Sequence, residues 1–230
     1  MRLLPDIIEE IVELIKPAST ITNIVDNLNG YYTFTVAKLD TLLKNNLFIT
    51  IENTDGFNVD STEVFNINYT NKTFDIKQAT GQAITNLGNF IAKAPYFDFT
   101  DTYLEYAENL SFEQQKSFRK DIEMFPAIYM PTKLNENDFS DNIRFEVQNI
   151  RFLFIDFTKI DSNTEGRYID DIPYLMDLYT KFKKELRKHN SISFDLNFTH
   201  EKDTFAELET NEAVSQIIAT TTLTYNTNEC

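Results

Sequence analysis

Apolar residues near the start of the chain recur at helical spacing, which predicts an amphipathic helix. Acidic residues on the opposite side suit the positive end of the helix dipole, so we interpret them as a solvated face. Pro5 begins the helix and Pro17 ends it. The apolar positions of this predicted helix are Ile7, Ile8, Ile11, Leu14 and Ile15.

The apolar period changes to two between Thr20 and Ala79, which predicts β-strands. Turn-forming residues separate these strands. The predicted strands cover residues 31–36, 47–51, 64–69 and 74–76. They form a small antiparallel β module, either a barrel or an inserted sheet, and the periodicity does not choose between the two.

Residues 81–124 have a weaker helical spacing, which predicts short helices joined by turns. One of these predicted helical stripes includes Ile91. The aromatic segment 94–101 contains Pro95, and it interrupts the helices because proline removes a backbone donor and restricts the residue before it.

The C-terminal half contains three predicted strands. Residues 144–157 predict a long strand with a bulge or bend near Asn149, buried on both faces at its end. Residues 192–199 alternate between apolar and polar positions, and so do residues 215–225. The outward face of the last strand is rich in threonine.

Residues 167–186 predict a helix, with Asp170 and Asp171 before Pro173 as its N-terminal signal. Basic residues gather between Lys181 and Lys188, at the negative end of the helix dipole. A solvated helix end is one interpretation, and contact with nucleic acid or with an acidic surface of a neighbour is the other. The apolar stripe comprises Ile172, Leu175, Met176, Tyr179, Phe182 and Leu186.

Together these elements predict an α+β fold, in which a mixed or antiparallel sheet is packed with helices. Residues 1–19 and 80–230 form the predicted main domain. Residues 20–79 form an inserted β module after the first helix.

The chain carries 36 acidic and 21 basic residues, which gives a net charge of −15. This charge repels phosphate backbones and anionic lipid, so duplex binding would need a local basic patch. No stretch approaches the roughly 18 uncharged apolar residues of a membrane helix, and the start has no secretory leader pattern. The single cysteine, Cys230, excludes a disulfide framework.

No residue pattern predicts catalysis, a metal site or a bound cofactor. Nucleophilic catalysis would need His189, which ends a basic helix, or His200. His200 has Glu201 and Asp203 nearby and faintly resembles a metal cluster, but CxxC and HExxH spacings are absent. Asp98 and Asp101 lie among aromatic residues, where an aromatic anchor with a capping aspartate is the simpler interpretation. We therefore expect no enzymatic activity.

Five segments follow one another in a suggestive order. They are the N-terminal helix, APYFDFTDTYLEYAENL at 94–110, FPAIYM at 125–130, RFEVQNIRFLFIDFTK at 144–159 and RYIDDIPYLMDLYTKFKKEL at 167–186. In this order the chain resembles tail-terminator and neck proteins of tailed bacteriophages. Its Asn-, Ile- and Phe-rich composition is similar to that of phages of gut Bacteroidetes, including the crAss-like group.

The resemblance implies a tail-terminator-like fold and a structural virion protein, made in the host cytoplasm. Such proteins form a homo-oligomeric ring of about six or twelve copies at the head-to-tail junction. Connector or tail ring proteins are the neighbouring partners, and DNA passes through the lumen without specific binding. An acidic lining suits that passage, because phosphate repulsion lets DNA slide.

Ring assembly requires exposed apolar surface or an open sheet edge. The aromatic density around residues 94–110 exceeds what one short helix can bury alone. Packing inside the protomer is the alternative. The threonine-rich last strand is a further candidate, because it could also extend a neighbouring sheet. The predicted subunit-interface residues are Phe97, Phe99, Tyr103 and Tyr106.

Two other functions stay open. A glycan- or protein-binding module of a surface or tail structure would use the β module and its tyrosines. A hydrolase would use Asp98, Asp101 or the residues around His200. The ring hypothesis predicts a large homo-oligomer, or assembly only beside a partner ring. The binding module predicts a monomer or small oligomer with a saturable ligand.

Overall fold

The structure is a computed structural model. The chain folds into two compact units. One consists of Lys16–Ala94 and is called the barrel unit, and the other, called the sheet unit, combines Met1–Ile15 with Pro95–Cys230. The structure describes residues 3–45, 47–52, 59–77, 87–92, 95–99, 126–139, 144–159, 164–193, 197–208 and 212–227.

The barrel unit is a closed six-stranded antiparallel barrel. Its strand order is β1-β2-β5-β4-β3-β6, and the pairing of β6 with β1 closes it. The strands are β1 (Ala18–Asp26), β2 (Tyr31–Val36), β3 (Phe48–Glu52), β4 (Val59–Asn68), β5 (Thr73–Lys77) and β6 (Asn89–Ala92). Each strand therefore has a hydrogen-bonded neighbour on both sides, so the barrel has no open edge.

The alternation of β2 and β5 fills the barrel interior with aromatic rings. The Phe34 and Phe74 rings stack with centroids 5.5 Å apart, and Phe90 meets Phe74 edge to face at 5.1 Å. All three side chains are fully buried. Burying a phenyl side chain contributes roughly 1.5–3 kcal/mol, so these rings are a main source of the unit's stability.

The turn between β1 and β2 holds two residues with positive φ, Leu28 at 58° and Gly30 at 87°. The Asp26 carboxylate accepts a hydrogen bond from the Leu28 backbone N–H at 2.8 Å, and the Asn29 side chain accepts one from the Tyr31 N–H at 3.1 Å. These bonds hold a left-handed backbone that an L-residue such as leucine adopts at a cost.

The sheet unit is built on a seven-stranded sheet. Its main order is β11-β13-β10-β8-β7, with β12 also paired to β13 and β9 to β10. Its elements are α1 (Leu4–Leu14), β7 (Tyr96–Phe99), β8 (Ala127–Met130), β9 (Asn135–Asp138), β10 (Arg144–Lys159), α2 (Thr164–Lys188), β11 (Ile192–Ser193), β12 (Thr199–Leu208) and β13 (Glu212–Asn226). The β7–β8 pair is parallel, whereas the other described pairs of this sheet are antiparallel.

Helix α2 packs across the two long central strands, β10 and β13. Phe154 of β10 contacts the rings of Tyr179 and Phe182 at 5.6 and 5.3 Å, and Phe152 lies 5.0 Å from Phe182. The predicted apolar stripe of this helix is confirmed, because its members are buried except for Met176, which is half-buried. The helix begins at Thr164, so the start predicted at Asp170 and Asp171 is wrong.

A bulge interrupts β10 where the sequence predicts one. The register with β13 shifts between Val147 and Ile150, and Asn149 has a φ of 54°. The Asn149 N–H points to Thr222 Oγ1 at 3.4 Å. The bulge restores the alternation, so that Val147, Ile150 and Phe152 are all buried.

The predicted fold class, an α+β sheet packed with helices and of tail-terminator-like form, is wrong. The structure is mostly β, with a closed six-stranded barrel, and the described residues contain two helices, α1 and α2. The physical reason is that the barrel strands cover one another and need no helices over their core. Ile91, predicted as helical, lies in β6.

Two further boundaries differ from the sequence prediction. The barrel unit runs over Lys16–Ala94, whereas a module of residues 20–79 would cut through β1 and omit β6. Of the strand predicted at residues 192–199, β11 covers Ile192–Ser193 and β12 begins at Thr199, while residues 194–196 lie outside the described residues. Both differences arise where pairing with a distant strand decides the element.

Candidate functional site

Two of the four predicted interface residues lie on β7, an edge strand of the described sheet. Phe97 and Phe99 are half-buried, and their backbones are in register with Ile128 and Met130 of β8. They point to the same side of the strand because side chains alternate. Tyr103 and Tyr106 lie outside the described residues.

The threonine-rich strand β13 lies in the interior of the sheet. It pairs with β10 along one edge and with β11 and β12 along the other. Because both sets of backbone groups are already bonded, the alternative in which this strand extends a neighbour's sheet is wrong. Its threonines at 220, 222 and 224 are half-buried on the sheet face opposite α2.

The structure describes only some of the residues considered for hydrolysis. Asp98 is part of β7 and Asp101 lies outside the described residues. His200 and Glu201 are adjacent in β12, so they point to opposite faces of the sheet. Within the part of the chain that the structure describes, no group of three metal-ligating side chains is found.

The main polar cluster of the sheet unit surrounds Tyr179. Helix positions 179, 183 and 187 follow an i, i+4 spacing, which places Lys183 and Arg187 on the same side as the tyrosine. The Lys183 ammonium lies 4.7 Å from the Tyr179 ring centroid and 3.5 Å from its hydroxyl oxygen. The exposed His200 ring lies 5.4 Å from the same ring. We call Tyr179, Lys183, Arg187 and His200 the cationic cluster.

Burial and charge act in opposite directions on the Tyr179 hydroxyl. Burial raises the pKa of Tyr179 above its ordinary value of 10.0, and the nearby Arg187 guanidinium lowers the pKa by a smaller amount. Tyr179 therefore stays protonated at neutral pH. A neutral phenol beside cations can donate a hydrogen bond to an anion, but this arrangement gives no activated nucleophile.

Two other basic side chains at this end of α2 have acidic partners. Lys188 Nζ lies 2.6 Å from Glu185 Oε1, and His189 Nε2 lies 3.7 Å from Glu10 Oε2 on α1. Lys184 is exposed on another side of the helix. The cationic cluster therefore differs from the rest of the helix end, because an aromatic ring orients its lysine.

A second polar surface lies on the outside of the barrel unit, across β2, β5 and β4. Thr33 Oγ1 accepts a hydrogen bond from Asn27 Nδ2 at 2.8 Å and donates one to Asp75 Oδ1 at 2.6 Å. Asn66 Nδ2 donates to the other Asp75 oxygen at 2.9 Å. We call these four residues the barrel polar row.

An aromatic pair flanks the barrel polar row. The Tyr31 and Phe65 rings meet edge to face with centroids 6.1 Å apart, and both are half-buried. Phe65 is directly opposite Asp75 in the register of β4 and β5. Half-buried rings beside hydroxyl, amide and carboxylate groups are able to contact a ligand that has both apolar faces and hydroxyl groups.

Sequence reasoning missed the cationic cluster in part. The sequence shows the basic run of α2 and His200 as separate features. His200 reaches Tyr179 because β12 pairs with β13 in the register His200 to Ala219. A register between strands is not encoded in local spacing, so the only available signal was the coincidence of a basic helix end with a histidine in the following strand.

Comparisons with known proteins give no match: no family model, no curated protein and no solved structure is similar to this chain. Among the described residues, no helix has both the length and the apolar character needed to cross a membrane.

Proposed function

We propose that this chain is a structural subunit, without enzymatic activity, of a ring at the head-to-tail junction of a tailed bacteriophage. The observation that carries the proposal is the division of charge between the two units. The barrel unit holds six lysines and seven acidic residues, so its net charge is −1 and the sheet unit carries the other −14.

A charge division of this kind suits a passage for DNA. Acidic side chains that face a lumen repel phosphate, so the genome slides without adhering. The barrel unit is nearly neutral, so it does not repel an acidic protein surface in the same way. The resemblance of the sequence to neck proteins supports the same function, and the tail-terminator-like fold is not part of the proposal.

The edge strand β7 supplies a surface for joining copies. Phe97 and Phe99 keep part of their surface exposed. A ring closes through a heterologous contact, in which one patch meets a different patch on the next copy. Connector or tail ring proteins would be the neighbours above and below, and the virion would be the site of function.

Light-scattering mass and negative-stain microscopy of the purified full chain test the proposal. We expect closed rings at protein concentrations in the micromolar range, with duplex DNA neither retained nor protected at low salt. Phe97→Ala should weaken assembly about tenfold or more, because a buried aromatic anchor at an interface contributes about 1–4 kcal/mol.

Phe65→Ala is the matched control, since Phe65 is also a half-buried phenylalanine on a strand but lies in the barrel unit. Assembly of this variant should be unchanged. Thermal unfolding of both variants checks that each is folded. A protein that stays monomeric at all concentrations, or that binds duplex DNA tightly, would contradict the proposal.

A second candidate function is a glycan-binding module, and the barrel polar row favours it. Aromatic rings beside a carboxylate and amide groups fit the apolar face and the hydroxyl groups of a sugar. Asp75→Ala should then abolish binding on a glycan array. Lys72→Ala should retain binding, because Lys72 is an exposed residue that directly precedes β5 and is not part of the barrel polar row. Absence of any glycan signal for the unmodified chain would exclude this candidate.

A further inference from the structure

We propose that the cationic cluster binds a carboxylate of a second copy of this chain, an inference that rests on the proposed ring. The cluster joins Lys183 and Arg187 of α2 to Tyr179 and to His200 of β12. Carboxylate is the anion that this chain presents most abundantly, with 36 aspartate and glutamate residues.

The cluster keeps hydrogen-bond donors available. A lysine ammonium has three donors, and the Tyr179 hydroxyl occupies at most one donor of Lys183. Among the described residues, the side chains of Arg187 and His200 have no hydrogen-bond or ion-pair partner. An arginine guanidinium is suited to a carboxylate because its donors match the two oxygens.

The aromatic ring prepares the site for a ligand. Contact with the Tyr179 ring limits the freedom of the Lys183 side chain, so less entropy is lost when an anion binds. Phe198 covers another part of the ring, with centroids 5.9 Å apart. The ammonium is therefore held above a partly apolar surface, where an ion pair is stronger than in open water.

The charge of the whole chain favours a second copy over a dissolved polyanion. Copies with a net charge of −15 repel one another, so ring closure needs a local contact between opposite charges. The sheet unit contains 29 of the acidic residues and the cationic cluster.

Charge reversal in the cluster tests the inference. Self-association of the full chain is measured by sedimentation velocity at about 50 and about 500 mM NaCl. We expect Arg187→Glu and Lys183→Glu each to weaken association about tenfold or more at low salt. Lys184→Glu is the matched control, because Lys184 is an exposed lysine of the same helix without a ring contact, and we expect less than about a threefold effect.

Arg187→Gln provides a milder variant if a charge reversal perturbs folding, and it should weaken association in the same direction. Equal effects of Arg187→Glu and Lys184→Glu would overturn the inference, since they would show only a dependence on net charge. An effect of Arg187→Glu that is as large at about 500 mM NaCl as at about 50 mM NaCl would overturn it as well, since a contact between opposite charges is weakened by salt.

Inorganic phosphate at constant ionic strength distinguishes a partner carboxylate from a free oxyanion. If a second copy occupies the cluster, phosphate should compete and lower the associated fraction. Phosphate that shifts the His200 NMR signals without changing association would overturn the inference in favour of a free anion.

The two proposals fail in different ways. Rings that form normally with Arg187→Glu would overturn the carboxylate contact and leave the ring function intact. A chain that never associates would overturn both.

Discussion

The barrel unit and the sheet unit are both built mainly from antiparallel strand pairs. The barrel closes on itself, whereas the sheet has open edges. In the barrel, β6 pairs with both β1 and β3, so every strand has two neighbours. In the sheet unit, the main strand order ends at β7 on one side and at β11 on the other. In a closed barrel, the backbone hydrogen-bonding groups of every strand are paired within the barrel. An open sheet leaves edge strands with unpaired groups, to which another chain can bind.

Charge follows the same division. The barrel unit is nearly neutral and the sheet unit holds almost the whole of the −15 net charge. The unit with open edges is therefore also the unit that repels its own copies. High charge of one sign is a common protection of sheet edges against unwanted pairing, and specific pairing then needs a local contact that overcomes it.

The largest expected effect is in the barrel core. Phe74→Ala removes a fully buried ring that contacts Phe34 and Phe90. We expect a loss of about 3–5 kcal/mol in the free energy of unfolding, because the barrel has no flexible edge that can collapse into the cavity. Urea-induced unfolding followed by circular dichroism measures it.

Phe65→Ala, on the outer face of the same barrel, is the control and should cost about 1 kcal/mol. Phe154→Ala in the sheet unit removes contacts with Tyr179 and Phe182 and should cost as much as Phe74→Ala. A loss below about 1.5 kcal/mol for Phe74→Ala would mean that the barrel core is not tightly packed.

Hydrogen exchange should separate the closed unit from the open one. We expect amides of β10 and β13 to exchange about 10- to 100-fold more slowly than those of β7, because central strands open only with the whole sheet. The six barrel strands should show similar protection, since none is an edge. Backbone amide exchange measured by NMR checks both statements, and a β7 as protected as β10 would contradict the open-edge description.

A smaller effect is expected at the hairpin turn of the barrel. Gly30→Ala should cost about 1 kcal/mol through its backbone alone, because its φ is 87° and an added Cβ meets no atom within 4 Å. Leu28→Asn should stabilise the unit by about 0.5–1 kcal/mol, since asparagine tolerates a φ of 58° better than leucine and the leucine side chain is 81% exposed. Thermal unfolding of the two variants should move in opposite directions.

The smallest expected effect concerns alkaline pH and the sheet unit. The pKa of Tyr179 is raised in the folded state, mainly by burial, above its ordinary value of 10.0. The folded state then holds the proton more tightly than the unfolded state. The contribution of Tyr179 to stability is therefore fully present below about pH 10 and is lost as the pH rises from there through the folded pKa.

Tyr179→Phe should remove the part of the stability loss at alkaline pH that comes from ionisation of this tyrosine. Arg187→Gln should raise the pKa of Tyr179 further, because the guanidinium lowers it. Phenolate absorbance during a pH titration measures the ionisation, and the difference between Tyr179→Phe and the unmodified chain isolates this tyrosine. A pKa that falls in Arg187→Gln would contradict the assigned electrostatic cause.

Much of the local structure could be predicted from the sequence. The helical stripes of α1 and α2 and the alternation in β2, β5 and β13 all give elements at the predicted places. The bulge at Asn149 was predicted because a slip in the alternation has to be absorbed by one extra residue. Such patterns are readable because burial of one face is a local property of each element.

The tertiary structure alone decided which elements meet. Alternation is the same in an open sheet and in a closed barrel, so closure by β6 could not be predicted, and the helical spacing around Ile91 gave the wrong element. The contact of His200 with Tyr179 likewise depends on the register of β12. Strand register is fixed by hydrogen bonds and packing between residues far apart in the chain, and no local period records them.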